Sequence, residues 1–306
     1  MNKILEQTSR APQALASKPV AKFLIPALLA CYFVWGSTYL AIRFALISFP
    51  PFLQMGARFV FAGLLLTAFM RFRGAKWPTQ LEWRNAFVVG ALMLGGGMGL
   101  TGVASQTIGS GLIATFIAVV PMLVCGWGLL WGKRPSPLEI AGMVVGMVGV
   151  FLLVRDASFS ASGLGLMAIS GATLLWSLGS VLQTTKLPLA TGPMGFASEM
   201  LCGGAALLLI AKVLGEAPQW PPAPIAVAAW FYLVVFGSLI GFSSYLYLLA
   251  NASPALATSY AFVNPVIALF LGVLFGAEIV SNGEWFASAV VLFGVVLIFL
   301  SKRQKA

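Results

Sequence analysis

Apolar residues along this chain run on in long blocks instead of alternating. Ten predominantly apolar stretches can be read, at about residues 23–46, 52–71, 85–104, 110–131, 138–154, 164–184, 194–214, 225–248, 254–276 and 285–301, with short polar connections between them. Crossing the hydrocarbon core of a bilayer, about 30 Å thick, takes about 20 such residues in a helix, because no water is there to pair with exposed peptide groups. The pattern predicts an all-α membrane protein of ten transmembrane helices set in a lipid bilayer. Residues 1–22 are polar, basic and carry Pro12 and Pro19, which predicts a disordered tail. The first apolar stretch is a full span long without a small-residue cleavage site, so it reads as a retained helix and not a cleaved leader.

The blocks repeat. Displaced by 141 residues, Trp35 falls on Trp176, Arg58 on Glu199 and Gly63 on Gly204. Displaced by 144, Pro121 falls on Pro265, Gly128 on Gly272 and Gly132 on Gly276; one residue further, Glu139 meets Glu284 and Gly149 meets Gly294. The stretches IATFIAVVPMLVCGWGLLWG and ATSYAFVNPVIALFLGVLFG show the likeness directly. The expected plan is five helices twice, over 23–154 and 164–301. A unit with an odd number of spans enters the membrane from opposite sides in its two copies. Such an inverted repeat is common among secondary transporters, whose substrate site lies near the midplane between the copies.

Polar positions inside the blocks then become informative. Tyr32, Trp35, Tyr39 and Arg43 are spaced to share one helical face, and so are their counterparts Thr173, Trp176, Ser180 and Thr184. Polar groups repeated on one face should turn away from lipid, either to line a common cavity or to hydrogen-bond between helices. Tyr260 and Asn264 share a face four residues apart, and Ser244 and Tyr247 can join the same wall. Substrate-binding candidates are therefore Tyr32, Trp35, Tyr39, Trp176, Ser180, Ser244, Tyr260 and Asn264. Pro121 and Pro265 each remove a backbone donor in mid-span, freeing the carbonyls of Ile117 and Ala261, and predict paired kinks beside the cavity. Asn264 can meet a substrate or cap the freed carbonyl. The glycine run Gly95–Gly99 suits close helix contact or a hinge, and the small-residue pattern Gly142–Gly149 suits helix packing within the chain.

Arg58 and Glu199 are the ionisable residues well inside spans, and an intramembrane charge is a functional candidate by default. Counting depth along their helices places them in opposite leaflets, too far apart for a direct salt bridge. Each is expected to snorkel or bind backbone near its own interface, with Glu199 the candidate for proton coupling.

Composition narrows the classes. Of the 306 residues, 60% are hydrophobic and 8% charged, with a mean hydropathy of +0.97. Histidine is absent, which removes histidine metal ligation, Ser-His-Asp catalysis and histidine proton relays. Cys31, Cys125 and Cys202 all fall in apolar stretches and read as free buried thiols. No metal, cofactor or catalytic residue is expected. The net charge of +10 has a topological reading. Fourteen of the 18 basic residues fall on alternate connections and termini, three (Arg43, Arg155 and Lys212) on the other side, and Arg58 within a span. The positive-inside rule then puts both termini in the cytoplasm and leaves nucleic acid as no expected partner.

WGSTYLAIRF (Trp35–Phe44), GARFVFAGLLL (Gly56–Leu66) and SPALATSYAFVNPVIALFLGVLFGAE (Ser253–Glu278) resemble the drug/metabolite transporter superfamily, and within it the bacterial ten-helix EamA-type exporters, over about residues 25–300. The resemblance implies two EamA repeats, a central cavity and a multi-pass carrier of the bacterial inner membrane exporting small metabolites. The membrane-embedded first-helix Glu of the four-helix multidrug relatives has no counterpart here, where Trp35 and Trp176 stand instead. The aromatic, nearly uncharged wall points to amino acids or related amphipathic compounds moved by alternating access. An uncoupled facilitator or channel, and a carrier of sugar-phosphate-like or drug-like substrates, remain alternatives. Monomer and homodimer are both open.

Overall fold

Helix ends are written locally, and they are written twice. The computed structural model describes residues 23–108, 113, 116–154, 162–276 and 281–301, except for the side chains of Tyr39, Val154, Ala268, Leu269 and residues 272–276. The tail 1–22 and the Tyr39 side chain therefore lie outside the described residues. Every regular element among them is a helix: α1 (Leu24–Ala45), α2 (Pro51–Phe72), α3 (Gln80–Ala104), α4 (Val120–Leu129), α5 (Pro137–Val154), α6 (Gly163–Thr185), α7 (Pro193–Val213), α8 (Pro224–Asn251), α9 (Pro254–Thr258), α10 (Tyr260–Gly276) and α11 (Asn282–Ser301). Seven of these, α1, α2, α3, α6, α7, α8 and α11, are long and apolar enough to cross a membrane.

Counterpart helices share their caps. Helices α2 and α7 both begin with proline in the first turn, where no donor is lost. Both end on a left-handed glycine, Gly74 (φ 80°) and Gly215 (φ 69°). Behind each, two amides turn back in the same pattern: Gly74 N–H to Arg71 O and Ala75 N–H to Met70 O, Gly215 N–H to Lys212 O and Glu216 N–H to Ala211 O. This is the Schellman ending, which satisfies orphan carbonyls at the cost of a positive φ that glycine tolerates. Helices α5 and α11 start on matching reciprocal caps, Ser136 with Glu139 and Ser281 with Glu284.

The packing is also paired. Helix α2 lies on α7, and α5 on α11. The contact that α1 makes with α8 is matched by α6 with α3, and that of α1 with α10 by α6 with α4. The seams show direction. A Cβ on Gly56 would meet Leu208 and one on Gly63 would meet Leu201; a Cβ on Gly142 would meet Gly294 and Ile298, and one on Gly149 would meet Val291. As one helix advances the other retreats, so counterpart helices pack antiparallel. A two-fold axis in the membrane plane produces that arrangement, whereas an axis along the membrane normal would make them parallel. The Gly142–Gly149 pattern is thus used inside the chain.

Helices α3 and α8 are each widened in the middle. Ala91–Met98 of α3 and Leu233–Phe242 of α8 are π-helical, at corresponding places in the two halves. π-helix is rare and concentrates at functional sites. Gly95, Gly96 and Gly97 of the glycine run belong to the first of these segments, where missing side chains admit α6: a Cβ on Gly96 would collide with Leu175, and one on Gly97 would press on Trp176.

The prolines behave differently from two matched mid-helix kinks. Pro121 sits in the first turn of α4, just after a break at Ala118 and Val119. Pro265 lies within α10, and the break comes earlier, at Ser259 between α9 and α10. Both prolines are buried. Chain breaks occur in both halves, but each is made by the turn before its proline.

Candidate functional site

Four rings converge where the halves meet. Trp35 of α1 lies 4.6 Å from Tyr260 of α10, 5.2 Å from Tyr245 of α8 and 5.7 Å from Trp176 of α6, centroid to centroid. Tyr245 also packs on Trp176 at 5.3 Å and on Tyr260 at 5.4 Å. Edge-to-face and offset pairs at such distances each add about 0.5–1.5 kcal/mol beyond the area they bury. Hydrogen bonds fix the cluster. Trp35 Nε1 donates to Gly237 O (3.2 Å), a carbonyl inside the π-helical part of α8, and one turn earlier Cys31 Sγ points at Gly241 O (3.7 Å) of the same segment. The Tyr245 hydroxyl bonds Ser180 Oγ (2.8 Å), which itself donates to Trp176 O (2.7 Å).

A cavity of about 70 Å³ opens against one side of the rings. Trp35, Trp176 and Tyr260 form its aromatic wall; Thr38, Thr101 and Thr173 add hydroxyls, and Arg58, Gly97 and Gly237 complete the polar and open parts. On the other side of the rings lies a depression of about 680 Å³ edged by Gln183, Thr184, Phe196, Tyr247 and Asn251. The order along α6 is Thr173, Trp176, Thr184, and along α8 it is Gly237, Tyr245, Asn251: first cavity, then rings, then depression. From Thr173 to Thr184 the axial rise is roughly 16 Å at 1.5 Å per residue. At the mouth of the depression Lys133 Nζ donates to Thr184 O (3.2 Å) and Oγ1 (2.9 Å), and partial burial lowers its pKa from the ordinary lysine value.

The candidates of the sequence divide accordingly. Trp35, Trp176 and Tyr260 line the cavity. Ser180 is buried behind it, holding Tyr245. The Tyr32 hydroxyl bonds Ser259 Oγ (2.7 Å) at the break between α9 and α10. Ser244 is half-buried and lies outside the lining. Asn264 is 1% exposed, and neither atom of its amide has a partner, so it does not cap the carbonyl freed by Pro265. One sequence stripe thus serves two purposes, lining through Trp35, Trp176 and Thr173 and bridging helices through Tyr32 and Ser180.

Neither intramembrane charge snorkels. Arg58 is 2% exposed and Glu199 0%. Both Glu199 carboxylate oxygens lack a partner, so the absence of an ion pair with Arg58 agrees with the depth argument, while the expected escape to the interface does not occur. Depth along a helix decides burial only where that helix faces a bare bilayer. In the bundle, α2 and α7 pack face to face, and neighbouring helices cover both residues. Thr38, Thr101, Gly237 and Tyr245 went unnoticed in the sequence. The spacing of Thr38 three residues after Trp35 was the available signal, whereas Tyr245 stands in an apolar run and only convergence in space marks it.

The chain has recognisable relatives. The EamA-like transporter family matches twice, over residues 22–155 and 163–300. The inner membrane transporter YedA of Escherichia coli strain K12 is 40% identical over 280 residues, covering 91% of each chain. Protein PecM of Dickeya dadantii is 27% identical over 281 residues, covering 89% of this chain and 93% of its own. One crystal structure shares the fold with a TM-score of 0.74 at 21% identity, over 92% of this chain and 98% of the other.

Proposed function

The chain belongs to the EamA-like transporter family, and on that premise we propose that it exports small amphipathic metabolites, amino acids foremost, by alternating access. It is a multi-pass transporter of the inner membrane. The observation that carries the finer reading is the four-ring layer between two open spaces, with the cavity on one side and the depression on the other. A cavity of about 70 Å³ is well below the ~300–1,000 Å³ typical of ligand pockets, so the site is contracted in this conformation. Loading a substrate requires the wall to open, and release requires the rings to part toward the other space. In this reading the two halves, 23–154 and 164–301, are inverted five-helix repeats of a ten-span topology with cytoplasmic termini, and they rock about the rings. An aromatic wall with one charged residue suits a molecule with an apolar body and few charges better than a sugar phosphate, which calls for several cations.

The test is counterflow in proteoliposomes. Purified protein loaded with unlabelled amino acid should accumulate the labelled compound transiently and saturably, with trans-stimulation. Absence of flux for every amino acid tested removes that substrate class, and flux without saturation or trans-stimulation replaces the carrier by a facilitator.

A further inference from the structure

Arg58 has no answer among its neighbours. Its Nε and Nη1 make no hydrogen bond, and its guanidinium carbon sits 4.4 Å from the ring centre of Phe59, a cation–π contact that supplies no acceptor. Arginine stays protonated in proteins, and a buried charge is normally paired or hydrogen-bonded. Other unsatisfied groups gather nearby. Gln54, one turn earlier on the same face of α2, is 1% exposed with both amide atoms unpartnered. Ser238 Oγ, buried and also unpartnered, belongs to the π-helical part of α8 against which α2 packs. The great majority of buried polar groups in proteins find a partner, so an arginine in the cavity wall whose Nε and Nη1 have none marks the place of a ligand.

The rest of the lining has the complementary chemistry. Thr38, Thr101 and Thr173 each donate their hydroxyl proton to a carbonyl of their own helix, Trp35 O (2.8 Å), Gly97 O (2.8 Å) and Ser170 O (2.9 Å). Their oxygens are left as acceptors. The cavity thus holds a cationic fork of donors, oxygen acceptors and aromatic faces.

We propose that Arg58 is the anion anchor of the site. It takes the carboxylate of the transported molecule, whose apolar body lies on Trp35, Trp176 and Tyr260 and whose ammonium, when present, is accepted by the threonine oxygens. Carboxylate fits better than phosphate, because one guanidinium balances one charge and its fork matches the two carboxylate oxygens. The carboxylate is therefore the group the site requires. The inference rests on the transport reading for what happens after binding, not for binding itself.

The experiment uses the full chain in lipid nanodiscs, with thermal unfolding as the binding readout. The probes are alanine, leucine and phenylalanine, each beside its des-amino acid and its decarboxylated amine, together with 3-methylbutyl phosphate. The acids should raise the melting midpoint with or without an amino group, while the amines and the phosphate ester should leave it unchanged. Arg58→Met should abolish the shift although its own melting temperature stays close to that of the parent, since no hydrogen bond is lost with the charge and only the contact with the Phe59 ring goes. Arg58→Lys, which keeps the charge without the fork, should weaken apparent affinity by roughly tenfold or more.

A shift by the amines or the phosphate ester equal to that by the acids overturns the anchor. So does a carboxylate shift that survives Arg58→Met, or no shift with any acid. Counterflow separates the two readings. Carboxylate binding that depends on Arg58 without flux sinks the transport reading and leaves the anchor; amino-acid flux indifferent to Arg58→Met does the reverse.

Discussion

The seam between α5 and α11 can be tested with a single methyl group. At Gly142 a Cβ would stand 2.6 Å from Gly294 O, 2.6 Å from Ile298 Cγ1 and 3.0 Å from Ile298 N. Close C···O approaches in proteins run at about 3.3–3.6 Å, so the helices must part by roughly 0.8 Å. Two of the three obstacles are backbone atoms and cannot rotate aside. A gap of that size forfeits a quarter to a half of each contact well of about 0.1–0.2 kcal/mol. Over a few tens of atom pairs along the seam this comes to about 1–2 kcal/mol, and overpacking strain adds about 1–3 kcal/mol. Better helix propensity returns up to about 1 kcal/mol. Gly142→Ala should therefore destabilise by about 1–5 kcal/mol. The matched control is Gly126→Ala on α4, an exposed position with no atom within 4 Å of the new Cβ. There only propensity acts, and stability should hold or rise. Thermal unfolding of both variants in the same detergent gives the comparison. With about 2–4 °C per kcal/mol for large chains, Gly142→Ala should melt several degrees below the parent and Gly126→Ala at or above it. If the two variants melt together, the antiparallel glycine seam as described here is wrong.

Other predictions use the same reasoning. Asn264→Leu removes a buried amide without partners, so it should stabilise by about 1–3 kcal/mol in thermal unfolding; a fall would show that the amide is engaged, and unchanged counterflow would separate it from the site. Trp35→Phe deletes the N–H···O bond to Gly237 and part of the indole's contact with its three neighbouring rings, so it should cost more than the about 0.5–1.5 kcal/mol of the hydrogen bond alone, read as a lower melting point. Glu199→Gln should abolish the dependence of net flux on an imposed pH gradient while counterflow persists; net flux that still follows the gradient ends the role of Glu199 in coupling.

How much of this was legible in advance depends on the distance over which the physics acts. Helix ends are local, so Gly74 and Gly215, or Ser136–Glu139 and Ser281–Glu284, carry their caps in a few residues. The repeat was legible too, because Trp35 with Trp176 and Gly149 with Gly294 keep their order at a nearly constant displacement. The π-helical turns were not, since nothing in LMLGGGM or VVFGSLIGF distinguishes a wide turn from an ordinary one; packing against α6 and α1 sets it. A helical face also spans too wide an arc to separate Ser180, which braces Tyr245, from Thr173, which meets the cavity two turns away. Depth along a helix misplaced Arg58 and Glu199 because burial is decided by neighbours from the other half.

The widened segments of α3 and α8 have a mechanical consequence. A wide turn holds one surplus peptide, and that surplus can pass to the next turn by trading one hydrogen bond at a time, like a wrinkle travelling along a carpet. Each passage swivels the residues it crosses, among them Gly97 and Met98 in one half and Gly237 in the other. Because both halves own such a wrinkle at corresponding places, the same slippage is open to each, and in the proposed transport cycle it would reorient the cavity wall at Gly97 and Gly237 without breaking either helix.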